Sequence, residues 1–584
     1  MLYTTLSDGK LISREVNPVF DEATDVCVVG LGTAGAVCAI SAAENGAHVV
    51  GIEKVSYIGG TAVGVCDYYF GAAGGISEQI KSECYRRIDS GDFVSSGGRE
   101  IRENSVSGAV KSSVLLGRAL AAGVKIFTKS RLIGVFSDEA QVCGIEFFDG
   151  KKIRTLRASV TVDCADGEVC RLLGCDFLGA RPSDGHTMRF SHIFGWWNGV
   201  HERACITQYD FPEAEREAKR TRLILGGILS GGFIKEHSSP LIVWESPVTG
   251  LREVRAVECE SSYTFSDILA KKPPEKPLYY SFAPLDNANS DDWNETETIQ
   301  DWKVLTDMKR FGISAGVPMG MLIPKGKKGL LVAGKAMGAG HDLIGCLRMT
   351  ADIEKCGEAA GVISAAAVRE GKDVRDLDYG KITDKLRVTG CRGEENDLGI
   401  CDLNYPMGKK PTPYKLPENA EELISALSSD ETGPAILSVK IRCDTETKNI
   451  LAGNLSSENR NLAENCAFAL GIAGDTRCLP MLRAILSRPP EYKVHTVKKL
   501  YSAYSIGSTF TCGSIKALIL VGRLRDKESI PLLEKILKDD GKIYAKSAKK
   551  CDLCPSDEDM ACRFVGFALG ALNLIKSEKE KNDV

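Results

Sequence analysis

The chain has 584 residues and a formal net charge of −4. That length exceeds one hydrophobic core and predicts two to four domains, and so small a net charge excludes a basic footprint for nucleic acid or an anionic membrane. The opening residues, MLYTTLSDGKLISREV, hold no apolar signal region, and no run approaches the roughly 18 apolar residues of a membrane span, so a soluble, cytoplasmic protein is expected. Most of the 21 cysteines stand singly in apolar stretches, as Cys27, Cys38, Cys143 and Cys466 do, and read as small buried hydrophobes in a reducing compartment.

The first element carries the strongest signal. Val26 to Val29 is an apolar strand that meets Gly30, Gly32 and Gly35 in G-x-G-x-x-G spacing. A small-residue helix follows from Ala34 to Asn45, then a second apolar strand, His48 to Ile52, that ends in Glu53. Gly30 permits a tight turn, Gly32 lets the backbone approach a diphosphate, and Gly35 lets helix and strand pack closely. The diphosphate then sits at the positive end of the helix dipole, and Glu53, 23 residues past Gly30, is placed for a ribose diol. Tyr57, Ile58, Gly59, Gly60 and Thr61 follow directly.

Helical segments are expected around Ile80 to Arg87 and Gly98 to Ala122. Val124 to Gly167 then reads as short strands broken by Asp-Gly and Ser-Asp turns, a meander that ends in a buried strand. From about His186 to Lys309 the composition changes, with all five tryptophans (Trp196, Trp197, Trp244, Trp293, Trp302) and most of the histidines. This suits a substrate pocket and equally suits one buried aromatic core. The strand–glycine style returns at Gly329 to Gly334, followed by an alanine-rich helix from Glu354 to Glu370 whose small residues predict close packing against a sheet or a cofactor.

A Gly/Pro-rich connection over 389–417 marks a boundary and predicts that the chain after about Asn419 can be removed without unfolding what precedes it. Beyond it lies a repeat: Ala469 to Leu486 aligns with Leu520 to Leu537 at an offset of 51 residues, matching Gly471 to Gly522, Asp475 to Asp526 and Pro480 to Pro531, with a shortened third copy near Gly570. These paired amphipathic helices resemble HEAT-type repeats and serve either as a cap on the preceding part or as a docking surface for a partner. Cys551, Cys554 and Cys562 form the one close cysteine cluster. It lacks a convincing fourth ligand, so no metal site is assigned.

Five blocks in order resemble the FAD-dependent oxidoreductase family, some of whose members carry a xanthan-lyase label, related to the fumarate-reductase and glutathione-reductase classes. They are the Gly30 to Thr61 segment; VDCADGEVCRLLG (Val162 to Gly174); RPSDGHT (Arg181 to Thr187); GLREVRAVECESSYTFSDIL (Gly250 to Leu269); and Val317 to Asp378, with Pro318, Gly334–Lys335, His341, Arg348 and Gly357–Glu358–Ala359–Ala360–Gly361. Lys335 stands where the family has arginine, Glu358 where it has glutamine, and a Thr-Gly of the central strand is absent. The resemblance covers about residues 20 to 390 and implies an FAD-dependent oxidoreductase with non-covalent FAD, acting on a small-molecule substrate.

The implied architecture is α/β: a Rossmann-like FAD-binding domain in two parts (1–185 and 311–388), an inserted α+β substrate or cap domain (186–310), and an all-α repeat region (418–584) offering a surface for a homo-oligomer or a protein partner. The implied cofactor contacts are Gly30, Gly32, Thr33, Ala34, Gly35, Glu53, Lys54, Gly59, Gly60, Thr61, Leu132, Ala165, Asp166, Gly334, Asp342 and Gly345. Gly59–Gly60 is where such flavoproteins bring the chain close to the flavin.

Flavin chemistry needs a hydride partner at N5, a group that manages the proton, and charge that orients the substrate. His341 is the first candidate for the proton, with a purely structural role the alternative. Arg348 is a candidate for charge on the flavin or substrate. Arg252 and Arg255, three apart on an expected strand, point to opposite faces, so at most one contacts substrate. His186 is a second candidate for the same pocket. No nucleophile elbow and no H-E-x-x-H is present, which leaves hydrolase readings unsupported. An electron-transfer subunit serving a protein partner is the alternative function.

Overall fold

The apolar run before the glycine turn forms the middle strand of a parallel layer. In chain order the strands are β1 (Leu2–Ser7), β2 (Lys10–Glu15), β3 (Glu22–Val29), β4 (Val49–Ile52), β5 (Lys125–Phe127), β6 (Arg131–Asp138), β7 (Gln141–Phe148), β8 (Ile153–Asp163), β9 (Phe190–Trp197), β10 (Glu202–Tyr209), β11 (Leu241–Glu245), β12 (Pro277–Pro284), β13 (Phe311–Pro318), β14 (Leu330–Val332) and β15 (Gly399–Asp402). This computed structural model describes residues 1–64, 74–89, 108–188, 190–197, 202–209, 241–245, 248, 250–287, 291–306, 311–393, 399–402, 413–429, 432–488, 512–547 and 556–577, with β9, β10 and β11 as backbone only.

Five strands run parallel in the order β5–β4–β3–β8–β14. Val26 to Val29 are all buried, as a parallel strand covered on both faces requires. Strand β8 serves two layers. Ile153 to Arg157 pair antiparallel with β7, while Thr161 to Asp163 pair parallel with β14. The meander read from Val124 to Gly167 is therefore β6–β7–β8, grafted onto the parallel layer through one long strand. A hairpin, β1–β2, extends the sheet beyond β6. Every residue of β2 is exposed, so its sequence carries no burial pattern to announce it.

The helix Thr33–Glu44 crosses the helix Thr350–Glu370 through small residues. A Cβ on Gly357 would collide with the Ala34 carbonyl oxygen, and one on Gly361 would fall 2.6 Å from the Cys38 carbonyl oxygen. Ser41 Oγ seals the crossing by donating to the Glu358 carbonyl at 2.9 Å. The alanine-rich run thus packs on another helix. Its charged residues are buried in partnership: Glu354 with Lys111 at 2.6 Å, and Glu358 accepting from the Ile76 N–H at 2.7 Å.

Two further antiparallel sheets have the strand orders β10–β9–β11 and β12–β13–β15. Strand β15 comes from the segment read as a plain connector: it pairs with β13, and the Tyr414 N–H returns to the Ile400 carbonyl at 2.9 Å. Trp302 is core, fully buried and edge-on to Phe265 and Phe311. The side chains of Trp196, Trp197 and Trp244 lie outside the described residues.

The C-terminal repeat takes the form of two helix–turn–helix units, Arg460–Ile472 with Leu479–Leu486 and Gly513–Arg523 with Ile530–Lys538, with Pro480 and Pro531 in the first turn of each second helix. A Cβ on Gly471 would meet the Leu520 side chain at 2.8 Å, and Gly522 lies equally close to Ala571 of the long last helix, Asp557–Lys576. These helices close on the middle region. Arg563 Nη2 reaches Asp292 Oδ2 at 2.6 Å, Lys303 Nζ reaches the same oxygen at 2.5 Å, and Lys440 and Arg523 both pair with Asp301. Trp293 fills the space a side chain on Gly566 would need. Removal of this region, which the sequence leads one to expect is tolerated, would strip a buried aspartate of a guanidinium and uncover Trp293. The first part of the helix expected from Gly98, residues 98–107, lies outside the described residues, as do Cys551 and Cys554, and Cys562 is exposed. No described helix is long and apolar enough to cross a membrane.

Candidate functional site

The glycine turn after β3 is built as the spacing predicts. Gly30 has φ +85°, and a Cβ there would lie 2.8 Å from the Cys164 carbonyl oxygen. A Cβ on Gly35 would collide with the Gly30 carbonyl oxygen. Gly32 differs from both, because a Cβ there meets no atom of the described residues within 4 Å. Gly32 is also the N-cap of the helix Thr33–Glu44, and no side chain caps that end. The turn is thus closed at its two structural glycines and open at the one where a diphosphate would approach, with helix N–H groups directed at the opening.

Several of the other expected residues touch this turn directly. Glu53 is buried, accepts from the Leu31 N–H at 2.8 Å and from the Val55 N–H at 3.1 Å, and is raised from the usual carboxyl range by burial. Lys54 beside it is exposed. Gly60, with φ +53°, backs directly onto the turn, since its Cβ would lie 2.8 Å from Gly32 Cα. Thr33 Oγ1 donates to the Gly59 carbonyl at 3.3 Å and lies 3.5 Å from Thr61 Oγ1. Ala165 packs its Cα under Gly30, and its N–H is held at 3.0 Å by the buried Asp163 carboxylate; Asp166 is exposed with φ +57°. Gly334, φ +87°, faces Ala34 across 3.4 Å. Leu132 sits two residues beyond Ser130, whose N–H bonds the Glu53 carbonyl at 2.8 Å. Lys335 donates to the Leu251 carbonyl.

Gly345 and Asp342 face the middle region instead. A Cβ on Gly345 would collide with Asn287 Oδ1, and Asp342 Oδ1 accepts from Thr296 Oγ1 at 2.7 Å. Burial raises the Asp342 carboxyl above its ordinary range.

His341 opens the helix His341–Leu347 and is buried. Its Nδ1 lies 2.9 Å from both oxygens of Glu253 and its Nε2 lies 2.9 Å from Glu295 Oε2. Burial opposes charge on the ring, but the two carboxylates outweigh it and raise the imidazole to about 10. Both ring nitrogens thus lie within hydrogen-bond distance of a carboxylate, an environment that favours the protonated ring. Glu295 continues the chain of charge. Arg181 Nη1 lies 3.7 Å from Glu295 Oε1, and the same guanidinium holds Asp184 (Nε to Oδ1 2.9 Å) and Asp291 (Nη1 to Oδ1 2.9 Å). His186 closes it: its N–H donates to Asp184 Oδ1 at 3.0 Å and its carbonyl accepts from the Arg181 N–H at 3.0 Å. The two predicted histidines thus sit in one network, Glu253–His341–Glu295–Arg181–Asp184–His186.

Arg348 Nη2 donates to the Asp286 carbonyl at 2.8 Å and to its Oδ2 at 2.7 Å. Its Nε, and both polar atoms of the Asn287 amide, are buried without a hydrogen-bond partner among the described residues. Arg252 and Arg255 lie in an extended stretch whose ladder is reduced to isolated bridges at Val257 and Cys259. The acid between them, Glu253, is the residue that reaches His341. Sequence reasoning missed Glu253, Glu295, Arg181 and Asn287; the one signal was the Arg-Glu-x-Arg block, in which the arginines drew the attention due to the glutamate.

A sequence model of the family described as FAD dependent oxidoreductase matches residues 25–221 and 195–386. No curated protein matches the chain. Among solved structures it is similar to a geranylgeranyl bacteriochlorophyll reductase-like protein of Thermoplasma acidophilum, at 16% identity over 76% of this chain and 98% of that one, with a TM-score of 0.36. It is also similar to p-nitrophenol 4-monooxygenase of Pseudomonas putida, at 12% identity over 63% and 84%, with a TM-score of 0.34.

Proposed function

The chain belongs to the FAD-dependent oxidoreductase family and uses FAD as its cofactor, and on that premise we propose that it exchanges a hydride between the flavin N5 and a small polar substrate such as a carbohydrate, a hydroxy acid or an unsaturated acid. FAD, when bound, supplies a two-electron acceptor or donor at that ring nitrogen. The open approach at Gly32, set between closed turns at Gly30 and Gly35, supports the diphosphate at the start of the helix Thr33–Glu44, and Glu53, oriented by the Leu31 N–H, supports the ribose.

The observation that carries the direct small-molecule reading is the polar wall at Asn287 and Arg348. A buried amide and a guanidinium Nε with no hydrogen-bond partner among the described residues are costly unless a polar ligand completes them. Arg348 would orient an oxygen-bearing substrate, Asn287 would bond it from the side, and Gly345 keeps that wall free of a competing side chain. His341 acts as a positioning residue. Its fixed positive charge holds Glu253 and Glu295 in place, and the half-buried ring of His186 becomes the group for the substrate proton.

The alternative, an electron-transfer subunit that docks a protein on the helical region, is less well supported, because those helices already engage Asp292, Trp293 and Asp301 of this chain. Reducing the flavin without oxygen and following its reoxidation tests the choice. Rapid reoxidation by one member of a small-molecule panel, with its KM raised at least tenfold in Arg348→Ala and Asn287→Ala, is expected. Reoxidation only by protein acceptors would overturn it.

A further inference from the structure

The short helix Glu168–Leu172 ends in the sequence Cys170-Arg171-Leu172-Leu173-Gly174-Cys175. Gly174 has φ +64°. Two backbone bonds close the end: the Gly174 N–H to the Arg171 carbonyl at 3.1 Å and the Cys175 N–H to the Cys170 carbonyl at 3.0 Å. These are the 5→2 and 6→1 bonds of a Schellman terminus, in which the residue two past the cap meets the residue three from the helix end. That contact is ordinarily apolar. Here the two positions are both cysteines.

The two sulfurs are not equivalent. Cys170 is buried and Cys175 half-buried. The Cys170 side chain, helped by the nearby Lys327 ammonium, lowers the Cys175 thiol below its ordinary range against the effect of burial, while the Cys175 side chain and burial push Cys170 well up. The arrangement is a half-buried thiol, the more readily ionised of the two, backed by a buried second thiol. The 3.0 Å bond with standard backbone lengths also limits the Cα separation to about 7 Å, at the edge of what a disulfide spans.

We propose that Cys170 and Cys175 form a reversible intrachain disulfide, a redox couple additional to the flavin, whose oxidant is a low-molecular-weight disulfide. Cys175 thiolate attacks one sulfur of the small disulfide RSSR, whose S–S bond breaks and releases one thiolate. Cys170 then gives up its proton to that thiolate and attacks Cys175 Sγ, releasing the second sulfur as RS−, which takes from solvent the proton that Cys175 lost on ionising. Two protein thiols are oxidised to one disulfide, and one RSSR is reduced to two RSH. Cys259 is the internal competitor, within the electrostatic reach of both sulfurs, but its side chain lies against Gly338 and burial raises its thiol. A metal explanation is not supplied by these three sulfurs: among the described residues, the one group whose ligand atoms converge is Asp184, His186 and Asp291. The couple lies directly behind the nucleotide turn, since Asp163 accepts from the N–H groups of both Cys170 and Ala165 at 3.0 Å.

The test uses the full-length, FAD-loaded protein equilibrated with oxidised and reduced glutathione at graded ratios, then alkylated and digested with trypsin. Cleavage after Arg171 falls inside the loop, so the peptides Ala158 to Arg171 and Leu172 to Arg189 stay joined only through a disulfide. The joined pair is expected to rise and saturate with the oxidised fraction, to revert on adding reduced glutathione, and to be lost in Cys170→Ser and Cys175→Ser but retained in Cys164→Ser and Cys259→Ser. Full alkylation of Cys170 and Cys175 under conditions that glutathionylate the exposed Cys443 and Cys562 would overturn the proposal. So would a Cys175–Cys259 link. Should Cys170→Ser fail to fold, Cys175→Ser at the rim and the wild-type map decide the matter.

Discussion

Arg563, on the last long helix, donates from Nε and Nη2 to the buried carboxylate of Asp292, whose neighbour in sequence, Asp291, is bonded to Arg181. One turn of chain therefore ties the C-terminal helices to the network that holds His341. Burial alone would raise Asp292, yet Arg563 and Lys303 together hold it at about 2.

Replacing Arg563 with Met should cost roughly 3–5 kcal/mol, the range for stripping one partner from a buried ion pair, toward the lower end because Lys303 remains. Chemical denaturation of the FAD-loaded protein measures this. Truncation after Asn419 should give insoluble protein, and a soluble truncated chain with full FAD content would show that the helices are dispensable.

The contribution of Asp292 to stability has a defined pH window. Its folded pKa of about 2 lies below the ordinary aspartate value, so the stabilisation is complete above about pH 4 and fades as pH falls from there toward about 2. His341 behaves oppositely. With a folded pKa of about 10 against 6.5, its contribution is complete below about pH 6.5 and is lost as pH rises toward about 10. Thermal midpoints of wild type should fall between about pH 7 and 10 more steeply than those of His341→Gln; parallel curves would mean that the ring carries no charge in the folded protein.

Gly32 and Gly35 should fail differently. Gly32→Val places its side chain in open space and should give a folded, colourless protein with at least a hundredfold weaker FAD retention. Gly35→Ala drives a Cβ into the Gly30 carbonyl and should lower stability itself, seen as a reduced denaturation midpoint even without cofactor. Equal stability of the two variants would show that the turn tolerates a side chain at either position.

The purified protein should be yellow and release FAD, not FMN, on acid denaturation. Flavin remaining on the precipitate would show a covalent link, and bound NAD would refute the dinucleotide assignment.

How much of this was legible follows from which contacts are local. The turn at Gly30 to Gly35 and its acid at Glu53 lie within one βαβ unit, where each glycine answers a steric demand set by neighbours in sequence. The small residues of Glu354 to Glu370 announced a close approach, but not that helix Thr33–Glu44 was the partner. His341 could be located, yet its charge could not, because Glu253 and Glu295 come from segments 88 and 46 residues away. Asp292 and Arg563 look like ordinary surface charges in the sequence, since nothing local marks a charge that becomes buried only when a distant opposite charge meets it.

The crossing at Gly357 and Gly361 also bears on how the chain is made. Ser41 and the carbonyl it binds are 317 residues apart, so the first βαβ unit leaves the ribosome long before the helix that covers it exists. At ordinary elongation rates of about 5–20 residues per second the delay is on the order of tens of seconds. During that interval the alanine face of the helix Thr33–Glu44 is uncovered. A nascent chain in this state is a substrate for chaperones that hold apolar helices, and pausing before the helix Thr350–Glu370 is made should lengthen their association.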